Sequence, residues 1–136
     1  MSGWALHPQL RDDSHPVAML ALCEVRLMDD ANYPWLILVP RIIDAVELTD
    51  LPGTEQAQLL TEIGTASRAL QAQFRPHKLN IAMLGNMVRQ LHVHVIARFL
   101  DDPAWPMPVW GRAAAVPYSA AAATTRCSDL LARLLP

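Results

Sequence analysis

The stretch Gln90-Leu91-His92-Val93-His94-Val95-Ile96-Ala97-Arg98 interleaves polar and apolar residues as a β-strand with one covered face does. Alternate side chains of a strand share a face. Gln90, His92, His94 and Arg98 therefore project to one side, and Leu91, Val93, Val95 and Ala97 to the other. The second side is an ordinary core face. The first lines up an amide, two imidazoles and a guanidinium. Burying such groups costs free energy unless each finds a partner, so this face must meet solvent, a ligand or a polar network.

Three chemistries fit that face. One is a solvated sheet surface with no function. Another is a metal site, since His-x-His can present two nitrogens to one ion; it needs further ligands, and His7, His15 and His77 stand in unrelated surroundings. The third is nucleophilic catalysis at phosphorus, with one imidazole attacking and its neighbours holding the oxygens. An imidazole attacks through one nitrogen when the other donates its proton, commonly to a carbonyl or carboxylate. The sequence does not say which group accepts it.

Working outward, Val17 to Met28 reads as a strand in which Glu24-Val25-Arg26-Leu27 alternates as a half-buried strand should. Asp29-Asp30-Ala31-Asn32-Tyr33-Pro34 is a turn, and Trp35 to Val39 is an apolar strand covered on both faces. A helix begins around Asp50-Leu51-Pro52, with Asp50 as N-cap and Pro52 in the first turn. Leu59, Leu60, Ile63, Ala66, Leu70 and Phe74 mark its apolar side; Gln56, Gln58, Glu62 and Arg68 mark its solvated side. Pro76 ends it. Leu79 to Leu84 is a third core strand, Gly85-Asn86 the following turn, and Gln90 to Phe99 a fourth strand. Asp101 to Tyr118, with four prolines and Trp105 and Trp110, is irregular, and the tryptophans there shape a pocket, a dimer contact or plain packing. Ser119 to Leu135 forms a terminal helix. The sum is an α+β fold with a largely antiparallel sheet.

The chain has 136 residues, 52% of them hydrophobic and 18% charged, with a formal net charge of −2. That suits one domain, residues 1–136, with a core of about 17–99 and a C-terminal segment 100–136. No basic run or stripe appears, which argues against nucleic acid as a partner. No stretch is apolar enough to span a membrane. Cys23 and Cys127 fit reduced thiols in a cytoplasmic protein, although a disulfide between them is not excluded by sequence.

Gln90-Leu91-His92-Val93-His94-Val95-Ile96 resembles the active-site strand of the histidine triad (HIT) family, His-φ-His-φ-His-φ-φ with φ apolar, with glutamine at the first histidine. Trp35 to Arg41 is similar to the family's strand ending in Pro plus a basic residue. Asn80 and Gly85-Asn86 stand where the family approaches its triad strand. The resemblance implies a HIT-like fold over roughly Val17 to Arg98, often as a homodimer. It also implies a hydrolase or transferase cleaving at the α-phosphorus of a dinucleoside polyphosphate or nucleoside phosphoramidate. His92 matches the nucleophile, which becomes nucleotidylated, and His94 matches the phosphate-side triad histidine. Asn80, Gly85 and Asn86 match positions near the phosphates, and Asp29 or Asp30 the residue that holds the ribose hydroxyls, plain turn chemistry being the other reading of these two. Arg98 either meets a distal phosphate or forms a surface salt bridge. No catalytic metal or cofactor is implied, although a divalent cation can accompany a polyphosphate. Gln90 cannot titrate, so any relay through the first histidine is absent while an orienting role remains. Met87 stands where many relatives have a hydroxyl residue. A nucleotide-binding module with reduced or no turnover is the alternative.

Overall fold

Alternating side chains in three adjacent strands set the architecture. Val25, Leu27, Leu36, Leu38, Val93 and Val95 point to one side of a sheet, and Trp35, Ile37, Val39 and Ile96 to the other, each set packed into its own core. In this computed structural model, which describes residues 3–136, the elements are α1 (Pro8–Asp12), β1 (Ser14–Met19), β2 (Cys23–Met28), β3 (Trp35–Pro40), α2 (Gly53–Phe74), β4 (Lys78–Ala82), β5 (Val93–Arg98) and α3 (Ala120–Leu134). The five strands make one sheet in the order β1-β2-β3-β5-β4, every neighbouring pair antiparallel. The α+β expectation holds. So does burial of the Trp35–Val39 run on both faces.

Helices α2 and α3 cover the first face. Leu59, Ile63, Ala66 and Leu70 of α2 and Leu130 and Leu134 of α3 join the strand residues in the larger core. Leu10, Ala104 and Val109 close the second face, so this side is roofed by α1 and the segment after β5 rather than by a long helix.

Several local expectations change. Residues 17–28 are not one strand: β1 starts earlier, at Ser14, and Leu20 donates its N–H to the Cys23 carbonyl to close a hairpin into β2. The polar residues of β2 are not half-exposed. Glu24 and Arg26 are buried and paired at 2.6 Å, with Arg26 also held by Ser14 of β1 and the Arg11 carbonyl of α1. Asp50 does not cap α2. It sits in a short 3-10 turn, accepting from the N–H groups of Val46 and Glu47, and Pro52 occupies the cap position instead. Glu62 is not on a solvated face. It is buried and accepts from Leu22 N–H at 2.9 Å and Cys23 N–H at 2.8 Å, so it caps the hairpin from α2.

At its other end, α2 stops at Phe74; Arg75 caps it in the left-handed conformation (φ 49°), and Pro76 prevents the helix from continuing. The strand expected at 79–84 is β4, which ends at Ala82 and is an outer edge rather than a core strand. The strand expected from Gln90 to Phe99 is β5, from Val93 to Arg98; Gln90, Leu91 and His92 precede it. Helix α1, five residues long, is too short to show an apolar periodicity. Both cysteines are free.

Candidate functional site

β5 lies between β3 and β4, flanked on both sides by hydrogen-bonded strands, so what it carries is rigidly held. His92 stands one residue before it. There Leu91 donates its N–H to the Ala45 carbonyl at 2.9 Å and is itself buried, which anchors the approach. His92 Nδ1 is 2.7 Å from the carbonyl oxygen of Gln90. A carbonyl only accepts, so Nδ1 carries a proton and, in the neutral ring, Nε2 is the nitrogen with the lone pair. The group that orients His92, which sequence did not reveal, is a backbone carbonyl two residues away.

His94 pairs in register with Ile37 of β3 and Ala82 of β4, on the face roofed by α1 and the segment after β5. Its Nδ1 is 3.0 Å from the indole Nε1 of Trp35. The two imidazoles meet edge-on with centroids 4.9 Å apart, and Trp110 packs edge-on against His94 at 5.0 Å. Burial, and secondarily the neighbouring His92, push the His94 pKa down to about 3. His94 is therefore neutral at physiological pH.

The remaining sequence candidates divide. Gln90 keeps its place beside His92 in the chain, but its side chain turns to the N-terminal segment: Oε1 accepts from His7 N–H at 2.8 Å and Nε2 donates to the Ala5 carbonyl at 2.9 Å. Arg98 does not form the expected surface salt bridge. It is buried, donates to Asp102 at 2.8 Å, to Asn80 Oδ1 at 2.7 Å and to the Met107 carbonyl at 2.7 Å, and so has no exposed face for a distal phosphate. Asn80 is engaged by that same guanidinium. Gly85 (φ 75°) and exposed Asn86 lie in the loop between β4 and β5, where a positive φ favours glycine. Met87 is almost fully exposed.

Asp29 Oδ1 pairs with His15 Nε2 at 2.9 Å and accepts from Tyr118 N–H. The His15 bond holds the Asp29 carboxyl below the usual carboxylate range. Asp30 is buried and accepts from the N–H groups of Asn32 and Val116. Each thus does the work of a turn, and each ties in the segment after β5. Both also line a cavity of about 360 Å3 with Met28, Trp35 and Trp110. Trp35 links that cavity to His94.

In sequence Trp35 stands out only as a core residue. Its second role depends on the β3–β5 register, which residue order does not give. His7 caps α1, and His77 packs edge-on against Trp105. Among the described residues, no group of three or more His, Cys, Asp or Glu side chains is placed to hold a metal ion. No helix among them is long and apolar enough to cross a membrane.

Comparison with known proteins bears on this arrangement. A family model described as HIT domain matches residues 10–101. A histidine triad protein from Bradyrhizobium japonicum is 49% identical, with a TM-score of 0.94 over 96% of this chain and 98% of that one. One from Sinorhizobium meliloti 1021 is 41% identical, with a TM-score of 0.95 over 98% of each chain. A third, from Marinobacter aquaeolei VT8, is 42% identical, with a TM-score of 0.93 over 96% of each. Among curated proteins, none matches the sequence. With two imidazoles at the start of a central strand, the fold around them and these similarities, the chain belongs to the HIT domain family of histidine triad proteins.

Proposed function

We propose that the chain is a nucleotidyl hydrolase or transferase acting at the α-phosphorus of a dinucleoside polyphosphate or a nucleoside phosphoramidate. His92 Nε2 attacks phosphorus and a P–N bond forms. The P–O or P–N bond to the leaving group breaks, and the leaving group departs with its electron pair and takes up a proton. Water then attacks the nucleotidyl-His92, releasing the mononucleotide and restoring the imidazole. The observation that carries this reading is the Nδ1–H to Gln90 carbonyl bond, which leaves a lone pair on the outer nitrogen of a fixed ring.

The Asp29–Asp30 cavity with Trp35 and Trp110 suits a nucleoside: the indoles offer stacking surface and the free Asp29 Oδ2 can accept from a ribose hydroxyl. Asn86 and the backbone at Gly85 are the loop groups we assign to phosphate. The mechanism uses no catalytic metal, and a divalent cation can accompany a polyphosphate. We also propose a homodimer, joined through the outer edge of β4, and a cytoplasmic setting, which suits two free thiols.

One observation favours a second reading, a nucleotide-binding module with little turnover. The Gln90 amide, at the position of the first triad histidine, is spent on the N-terminal segment. A single-turnover experiment separates the two. Protein is mixed with diadenosine polyphosphate labelled at the α-phosphorus and quenched. Acid-labile label on the wild-type chain but not on His92→Ala supports the enzyme. Nucleotide bound, with neither label nor hydrolysis, leaves only the module.

A further inference from the structure

We infer that Trp35 is a positioning residue for His94: its indole N–H fixes that imidazole as the tautomer bearing its proton on Nε2. The inference rests on the proposed phosphoryl-transfer reading for its catalytic consequence, but not for its geometry.

An indole nitrogen can only donate. At 3.0 Å from Trp35 Nε1, His94 Nδ1 must be the acceptor and cannot carry a proton. A neutral ring then has its hydrogen on Nε2. Protonating the ring at Nδ1 would set N–H against N–H between two buried side chains. The indole has little room to yield, because Tyr33 and Trp110 pack edge-on against it with centroids at 6.3 and 5.7 Å and the residue is buried. Trp110 also closes on His94 itself, hindering a flip of the imidazole.

The consequence is a division of labour between neighbouring histidines. An acceptor-only carbonyl gives His92 a bare Nε2, and a donor-only indole gives His94 a protonated one. The first nitrogen attacks. The second offers a hydrogen bond to a phosphoryl oxygen or to the departing atom without a net charge of its own. His94 acts in this way as a neutral donor, not as an imidazolium.

The test replaces Trp35 with 3-benzothienyl-L-alanine by nonsense suppression, which keeps the bicyclic shape and puts sulfur where the N–H was. Long-range 1H–15N spectra of the wild-type chain should show His94 with Nδ1 bare and Nε2 protonated, unchanged from pH 8 to pH 5. In the analogue the two tautomers should mix, and kcat and kcat/KM for the nucleotide should fall about tenfold or more. A protonated Nδ1 in the wild type overturns the inference, and so does a wild-type tautomer ratio or kcat in the analogue. If the wild type shows no turnover, the proposed reaction fails separately. The spectra then still decide the tautomer, and affinity for a nucleoside monophosphate replaces kcat, with about tenfold weakening expected in the analogue and unchanged affinity overturning the role.

Discussion

His94 is enclosed by two indoles and a second imidazole, and its neutrality has a thermodynamic side. An exposed imidazole in the unfolded chain titrates at about 6.5, whereas burial in the folded chain pushes His94 down to about 3. Between those values the unfolded state binds a proton that the folded state does not. The stability due to neutral His94 is thus complete above the upper value and is lost as pH falls toward the lower one. The slope for one group is at most about 1.4 kcal/mol per pH unit. Urea midpoints at pH 7, 5 and 4 should decline more steeply for the wild type than for His94→Gln. Parallel declines would show that another group governs acid unfolding. At this scale the sequence was informative about His92 and His94, because two imidazoles on one strand face are hard to explain as core. It misjudged Arg98 and Glu62, since charged residues read as solvated whenever their partners, Asp102 and a hairpin's N–H groups, are far off in sequence or loop-borne.

Between elements, Glu62 does what hydrophobic contact alone does not: it fixes where the β1–β2 hairpin sits on α2. Both carboxylate oxygens are committed to backbone N–H groups that have no strand partner to donate to. Glu62→Leu keeps a side chain of similar size but orphans two buried donors, and should lower stability by about 2–5 kcal/mol in urea unfolding. A loss below about 1 kcal/mol would mean that water reaches those groups. The long helix and the Trp35–Val39 strand were legible because their apolar periodicity is strong. The hairpin inside residues 14–28 was not. Its turn, Leu20-Ala21-Leu22, contains no Gly, Pro, Asn or Asp, so no turn chemistry announced it. α1 is only five residues long, too short for periodicity to register.

At the scale of the whole molecule, β4 leaves one edge of the sheet open, with Ile81 exposed on it and Met83 and Leu84 just beyond. A cleft of about 430 Å3 continues the apolar surface from Met83 to Leu60 on α2. Unpaired, apolar edges invite another strand. The wild type should sediment near twice the 15.1 kDa chain mass, and Ile81→Asp near that mass itself. A monomeric wild type would refute the proposed dimer. The α+β class and the antiparallel sheet were legible in the order of strands and helices. Strand order was not, and the Trp35–His94 contact, which needs β3 beside β5, went unread with it.

The clasp between Gln90 and the N-terminal segment bears on how this sequence is free to change. The amide offers one donor and one acceptor to two backbone groups more than eighty positions away, and an imidazole in one neutral tautomer has its donor and acceptor on opposite sides of the ring. Placing histidine at position 90 would therefore release residues 5–7 from that clasp. The side chain at position 90 and the backbone of residues 5–7 are thus one structural unit, and a change at either place is felt at the other.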